Sequence, residues 1–207
     1  MTRTSTFEFA NWRKSRVRDA QENGVSTDDH TLSIGQPSTW LAWSADFIPA
    51  GATVLDWACG TGRHAVFLAE RGAHVTAADR DPSALEQLRS VAAKRQLAME
   101  IVQADLEAQD AITSTYDVVL VFNYLDRARL PQIQRAVRPG GLLICETFLT
   151  WQQGLGWGPT KDAHMLRIGE IGDLVAPMKL IFSREVLETV GDRVRAVASV
   201  VARQPEA

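Results

Sequence analysis

The spacing of short apolar runs limits what this chain can fold into more than any other feature. Five runs rich in β-branched residues begin at positions 53, 74, 99, 116 and 142, so successive starts lie 21, 25, 17 and 26 residues apart. A hairpin needs only a few residues between its strands, whereas a crossover helix between parallel strands needs a dozen or more. The spacing therefore predicts parallel strands joined by helices, with strands over 53–56, 74–79, 99–105, 116–122 and 142–147.

The segments between these runs carry the signals that begin and end helices. Apolar residues, alanine included, recur on one side of the predicted helices over 63–71, 82–91 and 128–137, and Gly72 suits a left-handed C-terminal cap. Asp81 before Pro82 is typical of an N-cap followed by the first helical residue. The order β-α-β predicts an α/β fold, a doubly wound and mostly parallel sheet with right-handed crossovers.

The segments outside this alternation complete one predicted domain, 1–207. We expect covering helices within residues 1–50, near 7–21 and 39–47, followed by a cofactor-binding core over 51–148. Residues 149–170 are polar and weakly periodic, which predicts a substrate loop. Residues 178–186 and 194–202 are predicted strands, close enough in sequence to pair antiparallel within the C-terminal part, 171–207.

Composition excludes several classes of protein. The 207 residues include 22 Lys and Arg against 25 Asp and Glu, so no basic excess favours binding to nucleic acid. No run approaches the roughly 20 apolar residues that span a bilayer, and no apolar signal core follows Met1. We therefore expect a cytoplasmic protein with no membrane partner. Its two cysteines form no disulfide framework, and no Cys, His and carboxylate cluster has the spacing of metal ligands.

Polar residues and glycines follow the first three predicted strands, where an open parallel sheet binds its ligands. The first strand leads into Gly60-Thr-Gly62-Arg-His-Ala65, which satisfies G-x-G-x-x-A. Asp79 ends the second strand, 19 residues after Gly60, where an acidic residue binds ribose hydroxyls. Asp105 and Leu106 end the third and can meet an adenine amino group and ring. Together these strand ends predict an adenosine-containing cofactor.

The charge of Asp56 distinguishes between cofactors that contain adenosine. A dinucleotide site presents backbone N–H groups to a pyrophosphate, and a carboxylate four residues before the first glycine disfavours that anion. The same carboxylate favours the ammonium and sulfonium cations of S-adenosylmethionine. Asp56 could alternatively hold the glycine loop by accepting backbone N–H bonds.

Five segments in order resemble the motifs of class I S-adenosylmethionine-dependent methyltransferases. They are the segment from Val54 to His64, Asp79, Asp105-Leu106, the segment from Tyr116 to Tyr124, and Arg138-Pro-Gly-Gly-Leu-Leu-Ile144. Further likeness is to a small bacterial subgroup related to the tellurite-resistance type. The resemblance implies a Rossmann-like sheet of seven strands whose last strand is antiparallel. It also implies cofactor contacts at Ala58, Gly60, Gly62, Arg80 and Asn123, in addition to Asp56, Asp79, Asp105 and Leu106.

The acceptor side is less well marked in the sequence. Tyr124 follows the fourth strand, where the methyl group would be presented, and Trp151 and His164 lie in the 149–170 loop. These three residues are candidates for contact with a small-molecule acceptor, and no catalytic residue is assigned. The resulting prediction is S-adenosylmethionine-dependent methyl transfer by a monomer or homodimer.

Two other functions remain open at the level of sequence. A NAD(P)-dependent oxidoreductase is compatible with G-x-G-x-x-A, although Asp56 and the absence of a second substrate domain count against it. A non-catalytic S-adenosylmethionine-binding protein, with residues 149–170 binding a partner, is compatible with the same motifs.

Overall fold

A computed structural model describes residues 34–108 and 111–206 of the chain. The helix expected near 7–21 lies outside the described residues. Seven strands lie within these described residues, with bounds close to those expected except at β5 and β6. They are β1 (Thr53–Trp57), β2 (His74–Asp79), β3 (Met99–Gln103), β4 (Tyr116–Phe122), β5 (Val137–Phe148), β6 (Lys179–Val190) and β7 (Arg193–Arg203).

The strands form one sheet in the order β3-β2-β1-β4-β5-β7-β6. Neighbours from β3 to β5 pair in parallel, and β7 pairs antiparallel with both β5 and β6. The predicted α/β fold with an antiparallel last strand is therefore confirmed. The strand order reverses at β1, which lies between β2 and β4, and a ligand crevice is expected at such a switch point.

One helix precedes the strands, and four others lie between them in the chain. They are α1 (Thr39–Ser44), α2 (Arg63–Ala69), α3 (Pro82–Lys94), α4 (Leu130–Arg135) and α5 (Glu170–Val175). The Asp81 side chain caps α3 by accepting the N–H groups of Ser83 and Ala84, as the Asp-Pro pair predicts. A 3₁₀ turn, Ala45–Phe47, extends α1, and the two together span the residues over which a covering helix is expected.

The beginning of β5 departs from the sequence prediction. The helix expected over 128–137 is a 3₁₀ turn, Arg127–Arg129, followed by the six residues of α4. Val137 already pairs with Tyr116, and the pairing then shifts register before it resumes at Val118. A Cβ added to Gly141 would lie 2.8 Å from the carbonyl oxygen of Asp117, so only glycine permits this close approach. Residues 137–141 are thus an irregular beginning of the strand.

Candidate cofactor and acceptor site

The loop after β1 adopts backbone conformations that explain its glycines. Gly60 and Gly62 have φ values of +55° and +79°, in the left-handed region that favours glycine. A Cβ at Gly62 would lie 2.4 Å from Leu88 Cδ1, whereas a Cβ at Gly60 would meet no atom within 4 Å. Gly62 is therefore required by packing against α3, and Gly60 leaves open space in which a ligand can approach the backbone.

Asp79, at the end of β2, is held beside this loop by two backbone groups. Its Oδ2 accepts the N–H of Gly60 at 2.8 Å, and its Oδ1 accepts the N–H of Asp81 at 2.9 Å. Each carboxylate oxygen has a second lone pair available for a ligand. The residue predicted to bind ribose is thus fixed in orientation before any ligand arrives.

A cavity of about 170 Å³ adjoins Asp79 and contains most of the predicted cofactor residues. Its lining residues are Ala58, Asp79, Arg80, Asp105, Leu106, Glu107 and Tyr124. The Asp105 side chain accepts the N–H of Glu107 through Oδ1 at 3.1 Å, which leaves Oδ2 for a ligand donor. Carboxylates at two strand ends, an apolar Leu106 side chain and the open space at Gly60 fit an adenosine group. We call this space the adenosine cavity.

Asp56 lies behind the glycine loop and does not line the adenosine cavity. Its side chain is buried, and its Oδ2 accepts the N–H of Ala65 at 3.1 Å. Burial raises the pKa of Asp56 to about 7, against the opposing effects of this hydrogen bond and of Arg63. This geometry matches the alternative in which Asp56 holds the loop by accepting a backbone N–H group.

A larger and more open cavity, of about 680 Å³, lies beyond the end of β4. We call it the acceptor cavity. Asn123 lines it with a φ of +55°, and the Asn123 N–H donates to the carbonyl oxygen of Glu146 at 2.9 Å. The other lining residues are Arg80, Glu107, Tyr124, Leu125, Asp126, Arg127, Ala128, Phe148, Pro159, Ala163 and His164. The volume lies in the usual range for small-molecule sites.

Tyr124 lines both cavities with its side chain. Its hydroxyl oxygen is buried and has no hydrogen-bond partner of ordinary geometry among the described residues, and the same holds for Trp57 Nε1. Burial raises the pKa of Tyr124, an effect that the neighbouring indole N–H of Trp57 partly offsets. A phenolate at Tyr124 is therefore disfavoured near neutral pH, and the ring forms a wall of both cavities.

The 149–170 segment is held against the sheet at several points. The guanidinium of Arg127 donates to Glu170 at 2.7 Å and to the carbonyl oxygens of Ala163 and Met165 at 3.0 and 2.9 Å. Buried Gln152 accepts the N–H of Ala196 and donates to the carbonyl of Trp157. Two 3₁₀ turns, Thr150–Leu155 and Asp162–His164, give the segment more local structure than its composition predicts.

These contacts place only one of the two loop candidates at the acceptor cavity. His164 is exposed and lines the cavity. Trp151 is 58% exposed and is not among the lining residues. Sequence reasoning missed Arg127, which donates to the carbonyl oxygens on either side of His164, and its partner Glu170, 43 residues later. No local signal identifies such a pair, because each is an ordinary charged residue in the sequence.

A buried polar cluster lies beside the site, between β5, β6, β7 and the segment that precedes α1. Glu146 is fully buried and accepts the hydroxyl groups of Ser38 and Ser199 at 2.6 and 2.9 Å. Arg184 and Arg195 form ion pairs with it at 3.2 and 2.8 Å, and both also pair with Glu188. The cluster joins residue 38 to strands more than 100 residues later in the chain.

Neither metal nor thiol chemistry is supported by the described part of the chain. No group of three or more His, Cys, Asp and Glu side chains in residues 34–108 and 111–206 is placed to hold a metal ion. Burial raises the pKa of both thiols, that of Cys145 to about 12, so neither provides a thiolate near neutral pH. No helix in these ranges is long and apolar enough to cross a membrane.

Comparison with known proteins agrees with this geometry. Residues 54–141, which include the glycine loop, Asp79 and Asp105, match a family model described as a methyltransferase domain. An uncharacterized methyltransferase of Mycobacterium bovis is 32% identical over 130 residues, covering 62% of this chain and 49% of that protein. A demethylmenaquinone methyltransferase of Clavibacter sepedonicus is 35% identical over 146 residues, covering 64% and 57%. The chain thus spans about half the length of the curated relatives it matches.

Solved structures show the same fold at lower sequence identity. TehB from Haemophilus influenzae superposes with a TM-score of 0.69 and 18% identity, covering 83% of this chain and 63% of that one. The chain is thus similar to methyltransferases over residues 54–141, and it shares its fold with TehB.

Proposed function

We propose that this chain transfers a methyl group from S-adenosylmethionine to a small molecule bound in the acceptor cavity. One observation supports this most directly. Tyr124, Arg80 and Glu107 line both the adenosine cavity and the acceptor cavity, so the two spaces are neighbours that share a wall. A cofactor in one and an acceptor in the other would meet at that wall.

The proposed cofactor contacts use the side chains that the strand ends present. Asp79 would accept hydrogen bonds from the ribose hydroxyls, and Asp105 would accept one from the adenine amino group. Leu106 and Ala58 would pack against the adenine and ribose, and Gly60 leaves room for the backbone to approach them. Charge-assisted hydrogen bonds of this kind contribute about 1.5–3 kcal/mol each. Asp56 would act indirectly, by holding the loop through the N–H of Ala65.

The chemical step requires binding and orientation from the protein rather than a reactive side chain. The bound cofactor supplies a methyl group that its sulfonium has already activated. The chain's part is to align the acceptor and to exclude water, which is a proximity and orientation effect. Asn123, Tyr124 and Phe148 border the space in which alignment would occur. His164 lines the same cavity, where its imidazole could accept a proton from an acceptor O–H or N–H.

The nicotinamide alternative finds no support in the comparisons. The matched family model and the curated relatives described above are methyltransferases. The carboxylate of Asp56 also lies behind the loop that would receive a pyrophosphate. Isothermal titration calorimetry is the first test: we expect S-adenosylmethionine and S-adenosylhomocysteine to bind, and NAD to show no measurable heat. The reverse result would rule out the proposal.

Activity itself needs a search over acceptors. We would measure release of S-adenosylhomocysteine with thiols, selenite, tellurite and small aromatic compounds as acceptors. The matched control is Asp79→Asn, which keeps the size of the side chain and removes its charge. Turnover by the wild type that this variant lacks supports catalysis. Tight cofactor binding with no turnover across all acceptor classes would instead favour a non-catalytic binding protein.

A further inference from the structure

The guanidinium of Arg63 lacks an anionic partner among the described residues. Arg63 directly follows Gly62, is partly buried, and makes one weak hydrogen bond, from Nη1 to the carbonyl oxygen of Gln36 at 3.4 Å. No carboxylate in residues 34–108 or 111–206 lies within ion-pair distance of it. The guanidinium groups of Arg184 and Arg195, in contrast, each pair with two glutamates.

The surroundings of Arg63 make this cation costly. Burial lowers the pKa of Arg63, and repulsion from Arg195 lowers it further. The carboxylates of Glu146 and Asp56 oppose that effect only from a distance. Glu146 is already engaged by two hydroxyls and two guanidinium groups. A partly buried positive charge without a partner favours any anion that can reach it.

The position of Arg63 in the chain indicates which anion this is. The loop from Ala58 to Gly62 borders the adenosine cavity at Ala58, and Arg63 begins the helix that follows the loop. S-adenosylmethionine joins its adenosine to a zwitterionic amino acid, which carries one carboxylate. The described residues that line the adenosine cavity contribute three carboxylates and a single arginine, which is already paired with Glu107. They therefore provide no free cation for that group.

We propose that Arg63 binds the carboxylate of the amino-acid part of the cofactor. This inference rests on the proposed function and adds a residue that the motif analysis did not assign. Arg63 is then a binding residue for one end of the ligand, while Asp79 and Asp105 bind the other end. A guanidinium can present two parallel N–H donors to a carboxylate, which a lysine ammonium cannot.

The test compares two ligands that differ in the amino-acid part. S-adenosylhomocysteine carries the carboxylate, and 5′-methylthioadenosine has the same adenosine and sulfur without it. We expect Arg63→Gln to weaken binding of S-adenosylhomocysteine at least ten-fold and to change binding of 5′-methylthioadenosine less than two-fold, both by calorimetry. Arg63→Lys should weaken binding of S-adenosylhomocysteine by an intermediate factor, because it retains the charge without the bidentate geometry.

The control is Arg71→Gln, which removes the same charge just beyond the far end of the helix. Arg71 pairs with Asp46 and lies over the Phe67 ring, so its loss should leave both affinities unchanged. Equal losses for both ligands in Arg63→Gln, or no loss for S-adenosylhomocysteine, would overturn the inference. If the wild type binds neither ligand, the proposed function itself fails. If it binds both ligands equally tightly, only the assignment of Arg63 fails.

Discussion

The Nε2 atom of His64 accepts a hydrogen bond from the backbone N–H of Ser38 at 3.2 Å. His64 lies in the first turn of the helix after the glycine loop, and Ser38 is the N-cap of α1. The imidazole is buried, and its ring packs against Phe122 with the centroids 4.2 Å apart. The contact therefore joins the segment before α1 to the helix that follows the glycine loop. Because Nε2 accepts this hydrogen bond, the contact requires a neutral imidazole.

Two buried groups near this contact should give opposite pH dependences of stability. Burial lowers the pKa of His64 to about 3, so the unfolded chain takes up a proton below its ordinary 6.5 and the folded chain does not. Folding stability from this group is present above about pH 6.5 and is lost as pH falls. Burial raises the pKa of Asp56 from 3.8 to about 7, so stability from that group is lost as pH rises from about 4 to 7.

Single substitutions separate the two contributions. Between pH 4.5 and 6.5, the free energy of unfolding of Asp56→Asn relative to wild type should rise with pH, and that of His64→Gln should fall. The slope of each difference should be no more than about 1.4 kcal/mol per pH unit. Urea unfolding at several pH values measures both. If both differences in unfolding free energy changed in the same direction with pH, the pKa shifts assigned to burial of Asp56 and His64 would be contradicted.

Loss of the Asp79 charge should weaken cofactor binding without unfolding the protein. Asp79→Asn keeps an oxygen to accept the N–H of Gly60 but removes the anion that would receive ribose hydroxyls. We expect affinity for S-adenosylhomocysteine to fall at least ten-fold by calorimetry. Asp81→Asn is the matched control, because Asp81 caps α3 outside both cavities and asparagine caps a helix equally well. A change below two-fold in Asp79→Asn would remove Asp79 from the site.

The contact between Gly62 and Leu88 predicts a strong non-additive effect on stability. Gly62→Ala should cost about 2 kcal/mol or more, because the new Cβ would lie 2.4 Å from Leu88 Cδ1 at a φ of +79°. In a Leu88→Ala background the steric part disappears, and only the backbone strain remains. In a double-mutant cycle measured by thermal unfolding, the double variant should therefore lose less stability than the sum of the two single losses. Strict additivity would mean that the clash is relieved elsewhere.

The bonds made by Arg127 should control the acceptor side and leave the cofactor side unchanged. Arg127→Lys keeps the charge, but the lysine ammonium lacks the planar fork with which arginine donates to Glu170 and to two backbone carbonyls at once. We expect faster hydrogen exchange over 159–166 and a several-fold higher KM for the acceptor, with unchanged affinity for S-adenosylhomocysteine. Arg167→Gln is the control, since that side chain is 81% exposed and pairs with Glu170 at only 3.5 Å. A loss of cofactor affinity in Arg127→Lys would show that the two cavities do not respond independently.

The predicted site residues that the structure brings together are those that depend on short-range patterns. Residues at strand ends, such as Asp79 and Asp105, occupy one edge of the sheet whenever the strands are parallel, so spacing alone brings them together. The glycines at 60 and 62 are likewise required by local backbone geometry. The structure gives a reason for glycine at position 62 that does not involve a ligand, because a Cβ there would clash with Leu88.

The remaining parts depend on contacts between distant residues, which a single sequence does not encode in any local pattern. Ser38 meets Glu146 across 108 positions, and Arg127 meets Glu170 across 43. Trp40 and Trp43 share helical spacing, a pattern that predicts one buried stripe. Only Trp40 is buried, while Trp43 is 48% exposed and packs against Phe47 and Phe182. Which face of a short helix is covered depends on the strand beside it.

The position of β7 between β5 and β6 has a consequence for synthesis of the chain. β6 lies at the edge of the sheet and pairs with β7. β5 also pairs with β7 on its outer side, so both strands lack this partner until residues 193–203 have left the ribosome. Until then, the segment that carries Phe182 and Leu187 has no neighbouring strand with which to form backbone hydrogen bonds. An unpaired apolar strand of this kind is a template for intermolecular pairing. A released chain truncated before residue 193 should therefore bind general chaperones more strongly than the full chain.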